Sequence, residues 1–155
     1  MRKKTIILLL ALCLPLLFAG CGGKAKTTKT NTYDVDTGDK VKIEFDTSDG
    51  YDLSSKAPFT ISKDDKDLTQ GTFISADQYE SYVGAAKSDP KATVIKEGAR
   101  DSVKYVFWSY DGEAGTEYDY AVLIKDSKTG LLLGNLVSED SAKDCFGRMN
   151  ITLDK

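Results

Sequence analysis

The sequence predicts an α+β domain, in which an antiparallel sheet of roughly seven to eight strands carries two packed helices. Three observations predict it. Runs of period-two apolar alternation recur along the chain, separated by Gly and Asp turn chemistry. Two stretches with helical periodicity each begin at a serine suited to capping. The strands form consecutive runs around these helices rather than alternating with them one by one, which favours an antiparallel meander over a parallel βαβ sheet.

The domain expected from this pattern covers residues 33–155, with the first strand near Lys40. Val41, Ile43 and Phe45 alternate with Lys42 and Glu44, the signature of a half-buried strand. Asp46 to Gly50 then reverses the chain. Phe59 to Ile61 and Thr69 to Ile74 flank the polar turn Lys63 to Lys66 and predict a hairpin. Ser75 with Gln78 spells a capping box, Ile74 and Tyr79 are spaced for a hydrophobic staple, and Asp89-Pro90 ends the run. Tyr79, Tyr82, Val83 and Ala86 are expected on the buried face of this first helix.

Four strands should follow: Thr93 to Ile95, Ser102 to Tyr110, Glu117 to Lys125 and Gly130 to Val137, with turns at Gly98, Asp111-Gly112 and Thr129-Gly130. The run 102–110 is apolar on both faces, with Val103, Tyr105 and Phe107 on one and Val106, Trp108 and Tyr110 on the other. A strand so composed is expected to be central and covered on both sides. Ser138 caps a second helix with Glu139 and Asp140 near its positive end, and Ala142, Cys145, Phe146 and Met149 form its apolar stripe. Ile151 to Leu153 adds a last strand.

The N-terminal end follows different rules. Arg2, Lys3 and Lys4 precede an uncharged, leucine-rich run from Ile6 to Ala19, shorter than the ~20 residues a spanning helix needs. It closes in Leu17-Phe18-Ala19-Gly20-Cys21, which resembles the lipobox of bacterial lipoproteins, with Phe18 a departure from the favoured residue at its place. The resemblance implies that residues 1–20 are removed as a signal peptide and that Cys21 carries a diacylglyceryl thioether. Two acyl chains hold a protein on a bilayer permanently where one does not. Gly22 to Thr32 lacks apolar periodicity and reads, with Cys21, as a flexible linker (residues 21–32). The expected location is the extracytoplasmic face of the cell membrane, lipid-anchored through Cys21. In its order of elements, Val41 to Leu153 resembles the PsbP-like fold of photosystem II extrinsic proteins and their bacterial relatives. That likeness is one of topology and transfers no functional residue.

Composition removes several functions. All 24 acidic residues lie after Asn31, whereas six of the 21 basic ones (Arg2, Lys3, Lys4, Lys24, Lys26 and Lys29) lie before it, leaving 15 against 24 and a charge of −9 from Tyr33 onward. Nucleic acid is not an expected partner of such a surface. The chain contains no histidine, which removes Ser-His-Asp and Cys-His nucleophile systems and the usual zinc sites. Of the three cysteines, Cys13 lies in the signal and Cys21 is the acylation site, so Cys145 has no disulfide partner and reads as a buried thiol.

The remaining motifs favour plain readings. Asp36-Thr37-Gly38 spells the aspartic-protease triplet, but no second copy exists to share a proton with it. Asp34, Asp36 and Asp39 fail the ligand pattern of an EF-hand, and Asp46, Asp49 and Asp52 could hold calcium only weakly. No cofactor is expected. Asp111, Glu113, Glu117 and Asp119 crowd one hairpin, where a glycosidase would need its carboxylates across a cleft. Trp108, Tyr110, Tyr118 and Tyr120 offer a stacking platform, although alternation must send half of them inward. The expectation is therefore a non-enzymatic binding or accessory module of the bacterial envelope. Its partner, an envelope protein or glycan, would meet Asp111, Glu113, Glu117, Tyr118 and Tyr120. A histidine-independent hydrolase of envelope polymers using carboxylates, or a weak metal-binding module, are the alternatives.

Overall fold

The computed structural model describes residues 26–155; the signal-like segment, Cys21 and residues 22–25 lie outside them. In chain order the described residues form β1 (Thr28–Asp34), β2 (Lys40–Asp46), a 3-10 turn (Ser48–Gly50), β3 (Tyr51–Leu53), β4 (Phe59–Lys63) and β5 (Lys66–Ser75). There follow α1 (Ala76–Ser88), β6 (Ala92–Arg100), β7 (Val103–Gly112), β8 (Gly115–Ile124), β9 (Thr129–Asn135), α2 (Glu139–Gly147) and β10 (Met149–Leu153).

The fold is α+β, but its strands do not form the one sheet expected. They form a three-stranded sheet in the order β1-β2-β10 and a seven-stranded sheet in the order β3-β4-β5-β9-β8-β7-β6, with all pairs antiparallel. The division follows from what the large sheet must bury. Its inner face carries Phe59, Ile61, Phe107, Val122, Leu131 and Leu133, all at most 2 % exposed. Val41, Ile43 and Phe45 of β2 pack onto that face together with Ile151 of β10 and with Ala142, Cys145 and Phe146 of α2. Laid against the edge of the large sheet, β2 would expose these three side chains; laid across the face, it buries them.

Among the described residues, the outer face is covered by α1 alone. Tyr79, Val83 and Ala86 of α1 pack on Ile74, Val106, Trp108 and Ala121. The capping box forms as spelled: Gln78 N–H donates to Ser75 Oγ (3.2 Å) and Ser75 N–H to Gln78 Oε1 (2.9 Å). Tyr82, expected on the buried face, is 39 % exposed. It lies three residues after Tyr79 and one before Val83, at the margin of a stripe that only three residues of α1 occupy. β7 is apolar on both faces for the reason its sequence indicates, since Val103 and Phe107 face the inner core and Val106 and Trp108 face α1. It is next to the edge strand β6, not at the centre of the sheet.

Three boundaries differ from expectation. β1 takes in Thr28 to Thr32, read as linker, pairing with β2 from Thr28↔Asp46 to Asp34↔Lys40. The missed signal is threonine, whose β-branched side chain suits an extended edge strand without any apolar alternation. β6 runs through Gly98 and reverses at Asp101, where φ is 49°. Gly98 faces Tyr105 across the ladder, and a Cβ there would stand 2.9 Å from the tyrosine hydroxyl. It is a glycine of close approach, not of turning. Thr129-Gly130 likewise begins β9, and the chain turns before it, with Asp126 at φ 57°.

Asn135, 1 % exposed, closes the inner core with every polar atom satisfied. Its amide donates to Thr69 Oγ1 (2.9 Å) and Ser141 Oγ (3.0 Å), while its carbonyl accepts from the backbones of Val137 and Ser138. One side chain thus joins β5, β9 and the start of α2, where Ser138 Oγ accepts from Ser141 N–H.

Candidate functional site

The β7–β8 hairpin places the expected site residues on three different surfaces. Its turn is Glu113-Ala114, closed by the pair Gly112↔Gly115. Asp111 and Glu113 are exposed at this tip, and Asp111 accepts a hydrogen bond from Thr116 Oγ1 (3.0 Å). Tyr120, read as a surface residue, is 5 % exposed. Its ring stacks between Phe107 (centroids 4.2 Å apart) and Phe146 (4.3 Å) in the inner core, and burial raises its hydroxyl pKa well above the usual range. Tyr118 packs partly buried against the same core. Neither tyrosine can join the acidic residues. In a strand, neighbours point to opposite faces, so Tyr118 and Tyr120 go inward while Glu117 and Asp119 go outward.

The outward residues meet other partners. Across the ladder Trp108 pairs with Asp119 and Tyr110 with Glu117. With Tyr82, Ala85, Ala86 and Asp89 from α1 and its end, Ala92 of β6 and Leu132 of β9, they line a cleft of about 310 Å3. Trp108 and Ala86 are buried at its base, and Tyr82 and Ala85 are exposed. A groove forms here because α1 stops at Ser88 and Asp89 leads the chain away to β6, so no helical side chain covers the outer face beyond that point.

Glu117 and Asp119 sit two residues apart on one face of β8 and share a hydrogen bond. Gly134, opposite Asp119 on β9, makes room for them. A Cβ on Gly134 would lie 2.7 Å from Glu117 Oε1 and 3.2 Å from Asp119 Oδ1. Burial, and next the neighbouring Glu117 charge, push the Asp119 carboxyl up to about 7. Burial beside a second carboxylate thus favours the neutral form of Asp119. Asp89 Oδ1 is engaged by the Lys91 backbone N–H (2.8 Å).

Other singled-out residues are accounted for structurally. Asp36, Thr37 and Gly38 form a turn with Gly38 at φ 89°. Asp39 Oδ2 accepts from Ser127 Oγ (2.6 Å) and Thr129 Oγ1 (2.7 Å), which ties this turn to the loop before β9 and lowers its pKa. Asp46 and Asp49 face Arg148 (3.8 and 3.6 Å), and Asp52 pairs with Lys29 at 2.8 Å. The chain's own cations thus sit beside the aspartates that could have held calcium. Among the described residues no three side chains of His, Cys, Asp or Glu come together to hold a metal ion. Cys145 is fully buried, which raises its thiol pKa. No helix of the described residues is long and apolar enough to cross a membrane. Cys21 lies outside the described residues.

Trp108 and Tyr110, half of the expected stacking platform, and Asp119 of the acidic hairpin line the cleft, while Tyr82, expected only as a buried helix residue, joins them from α1. Alternation counted outward from Trp108 was the available signal, since it places 108 and 110 with 117 and 119 once the hairpin is closed at 113–114. Compared with known protein families and with curated proteins, the chain matches none of them. The cleft has to be read from its own geometry.

Proposed function

We propose that this chain is a lipid-anchored binding module of a bacterial envelope, held at the extracytoplasmic face through Cys21, and that its ligand enters the cleft beside α1. The observation that carries the reading is the convergence of Trp108, Tyr110 and Tyr82 with a carboxylate pair in one concave site. Aromatic walls with a few placed polar groups are the usual make-up of small-ligand sites, and about 310 Å3 is at the low end of their size. The anchor rests on the sequence pattern that ends at Cys21. Six residues separate Cys21 from β1, so the domain would stand within about 20 Å of the bilayer.

Two experiments test the two halves of this reading. Cys21→Ser should abolish incorporation of labelled fatty acid and release the protein from the membrane; retention of a processed but unlipidated protein would overturn the anchor. A photo-crosslinking residue at position 82 should capture a ligand or partner in intact cells, and Trp108→Phe with Asp119→Asn should reduce that capture while the fold persists. Capture that ignores both substitutions would remove the cleft from the function.

A second reading, hydrolysis of an envelope polymer, is favoured by one specific observation: Asp119 sits where it can give or take a proton near neutrality. Against a glycosidase built on this pair stands its closeness. Carboxylates that share a hydrogen bond leave no room for a sugar between them, and retaining enzymes need roughly 5 Å. Release of soluble fragments from labelled cell-wall polymer by the wild type but not by Asp119→Asn would establish this reading over the first.

A further inference from the structure

We infer that the cleft beside α1 takes one organic cation, an alkylammonium or guanidinium head, with Glu117 and Asp119 as its counter-charge and the rings of Trp108, Tyr110 and Tyr82 as its walls. The inference rests on the domain being a binding module and assigns the class of its ligand.

The first argument is charge without compensation. The cleft is lined by three carboxylates, Asp89, Glu117 and Asp119, and by no lysine or arginine. Of the nearby lysines, Lys87 of α1 donates to Glu97 (2.9 Å), and Lys91, between the lining residues Asp89 and Ala92, engages Asp89 through its backbone N–H and is not part of the lining. Close carboxylates in a poorly hydrated site attract whatever positive charge is available. Here that is a proton, and a ligand cation would take its place.

The second argument is the rings. This fold uses its own cations over aromatic faces repeatedly: Arg148 stands 3.8 Å and Lys63 4.8 Å from the Tyr51 centroid, Arg100 4.3 Å from Phe146, and Lys104 5.1 Å from Tyr79. Among the described residues no such partner lies over Tyr110 or Tyr82, the rings that border the opening, while Trp108, 5 % exposed, forms the floor beneath them. A carboxylate pair with tryptophan directly across the ladder from Asp119 suits a head that is both charged and polarisable. A divalent metal is a poor fit, because calcium needs six to eight oxygen ligands around it and here the carboxylates share the lining with aromatic and apolar side chains.

The third argument is space kept open. Gly134 leaves the carboxylates a place to lie over β9 that any other residue would contest. The volume of about 310 Å3 admits a single head and stem but not a folded partner's surface. The cation can arrive as a free amine or on a lysine or arginine side chain of an extended peptide.

Binding must be coupled to the proton. The groups facing Asp119 are Glu117 on its own strand, Tyr110 on β7, and Tyr82 and Asp89 from α1 and its end; β9 contributes Gly134 and Leu132, and β6 Ala92, all uncharged. The cation binds the ionised pair and the proton goes to solvent, so affinity rises with pH through the neutral range.

Trp108 is the chain's one tryptophan, so its emission reports the site directly. The experiment titrates the full chain in non-ionic detergent, at constant ionic strength, with N-acetyl-arginine amide, N-acetyl-lysine amide and an arginine-containing octapeptide. The neutral controls are N-acetyl-citrulline amide and N-acetylglucosamine. Arginine and lysine should shift the emission saturably and citrulline should not, with affinity about 30-fold higher at pH 8 than at pH 5.5. Asp119→Asn and Glu117→Gln should each weaken binding at least tenfold and flatten the pH profile, with thermal melts confirming the fold. A much tighter octapeptide would assign a peptide source, and equal affinities a free amine. Arginine and citrulline binding alike, pH-independent binding, or silence toward every cation would each overturn the inference. A response to N-acetylglucosamine alone would also overturn it while leaving the binding module standing, which the capture at position 82 judges separately.

Discussion

On the inner face of the large sheet, Tyr120 lies stacked between Phe107 and Phe146, 5 % exposed and surrounded by other buried rings and aliphatic side chains. On the outer face, one residue earlier in the same strand, Asp119 borders an open cleft with Trp108 across from it. The two faces differ in what covers them. A three-stranded sheet and α2 close the inner face, whereas α1, 13 residues long, lies on the outer one. A helix of that length spans about 20 Å, and seven strands at ~4.8 Å spacing extend about 29 Å across. α1 reaches β5 to β9 and leaves β3 and β4 uncovered at one edge, and the cleft opens past its C-terminal end, where β7 and β8 run on toward their hairpin. Stability is concentrated on the fully covered face, and the residues with chemistry left to perform stand at the end of the partial cover.

The largest effect expected from this contrast is on the inner face. Tyr120→Ala should destabilise the domain by about 3–5 kcal/mol in denaturant unfolding, through lost contacts and the cavity left between Phe107 and Phe146. A loss near zero would mean that the inner face is not the main core. Trp108, although as buried as Tyr120, borders the cleft and should cost less when shortened.

Asp119→Asn breaks the symmetry in the opposite direction. Its carboxyl is raised to about 7 in the folded chain, so it binds its proton more tightly there than when unfolded. A raised carboxyl stabilises the fold fully below its unfolded pKa, near 4, and that contribution is lost as pH rises through 7. At pH 8 the ionised pair is therefore a liability, and asparagine removes it while still donating to Glu117. The variant should be more stable than wild type by on the order of 2 kcal/mol at pH 8, with the gain vanishing by pH 4. Parallel pH–stability curves for the two proteins would show that Asp119 titrates normally.

The contrast also explains what the sequence revealed. Strands with period two, the Ser75 capping box and Ser138 at the start of α2 were legible because they are local: each depends on residues a few positions apart. The two-sided composition of β7 was legible for the same reason. That β2 would cross the inner face instead of extending the sheet depends on which surface lacks a cover, which no local window contains. Tyr118 and Tyr120 lie beside Glu117 and Asp119 in sequence, but one step of alternation sends them to the opposite face. Tyr82 was hidden by helical periodicity, which places it beside the buried stripe and does not say where the sheet beneath ends.

Gly134→Ala is expected to be a smaller and more selective change. The new methyl would press on the carboxyl ends of Glu117 and Asp119, which are flexible enough to swing away, so stability should change by less than about 1 kcal/mol. The pair would be forced apart, and with the Glu117 charge more distant the Asp119 carboxyl should titrate lower than in wild type. Carboxyl chemical shifts followed through a pH titration measure this directly. An unchanged titration would show that the closeness of the pair does not set its protonation.

The smallest effects belong at the hairpin tip, and they sharpen the comparison most because the tip and the cleft share the same acidic composition. Asp111 and Glu113 are exposed on either side of Gly112, with water and salt around them, and the Asp111 side chain accepts from Thr116 across the turn. Exposed carboxylates at such a turn contribute little to stability, and their field fades over about 8–10 Å at physiological salt. Replacing both with serine should shift stability by no more than about 0.5 kcal/mol and weaken arginine binding less than twofold. Glu117→Gln, only a few positions along the same hairpin, removes one negative charge at a place walled by Trp108, Tyr110 and Tyr82 and should cost tenfold or more. If the double tip variant loses as much affinity as Glu117→Gln, the cation is steered by overall acidity and the cleft is not its seat. If only Glu117→Gln loses it, position relative to the edge of α1, and not the number of carboxylates, decides which acidic residues of β7 and β8 bind.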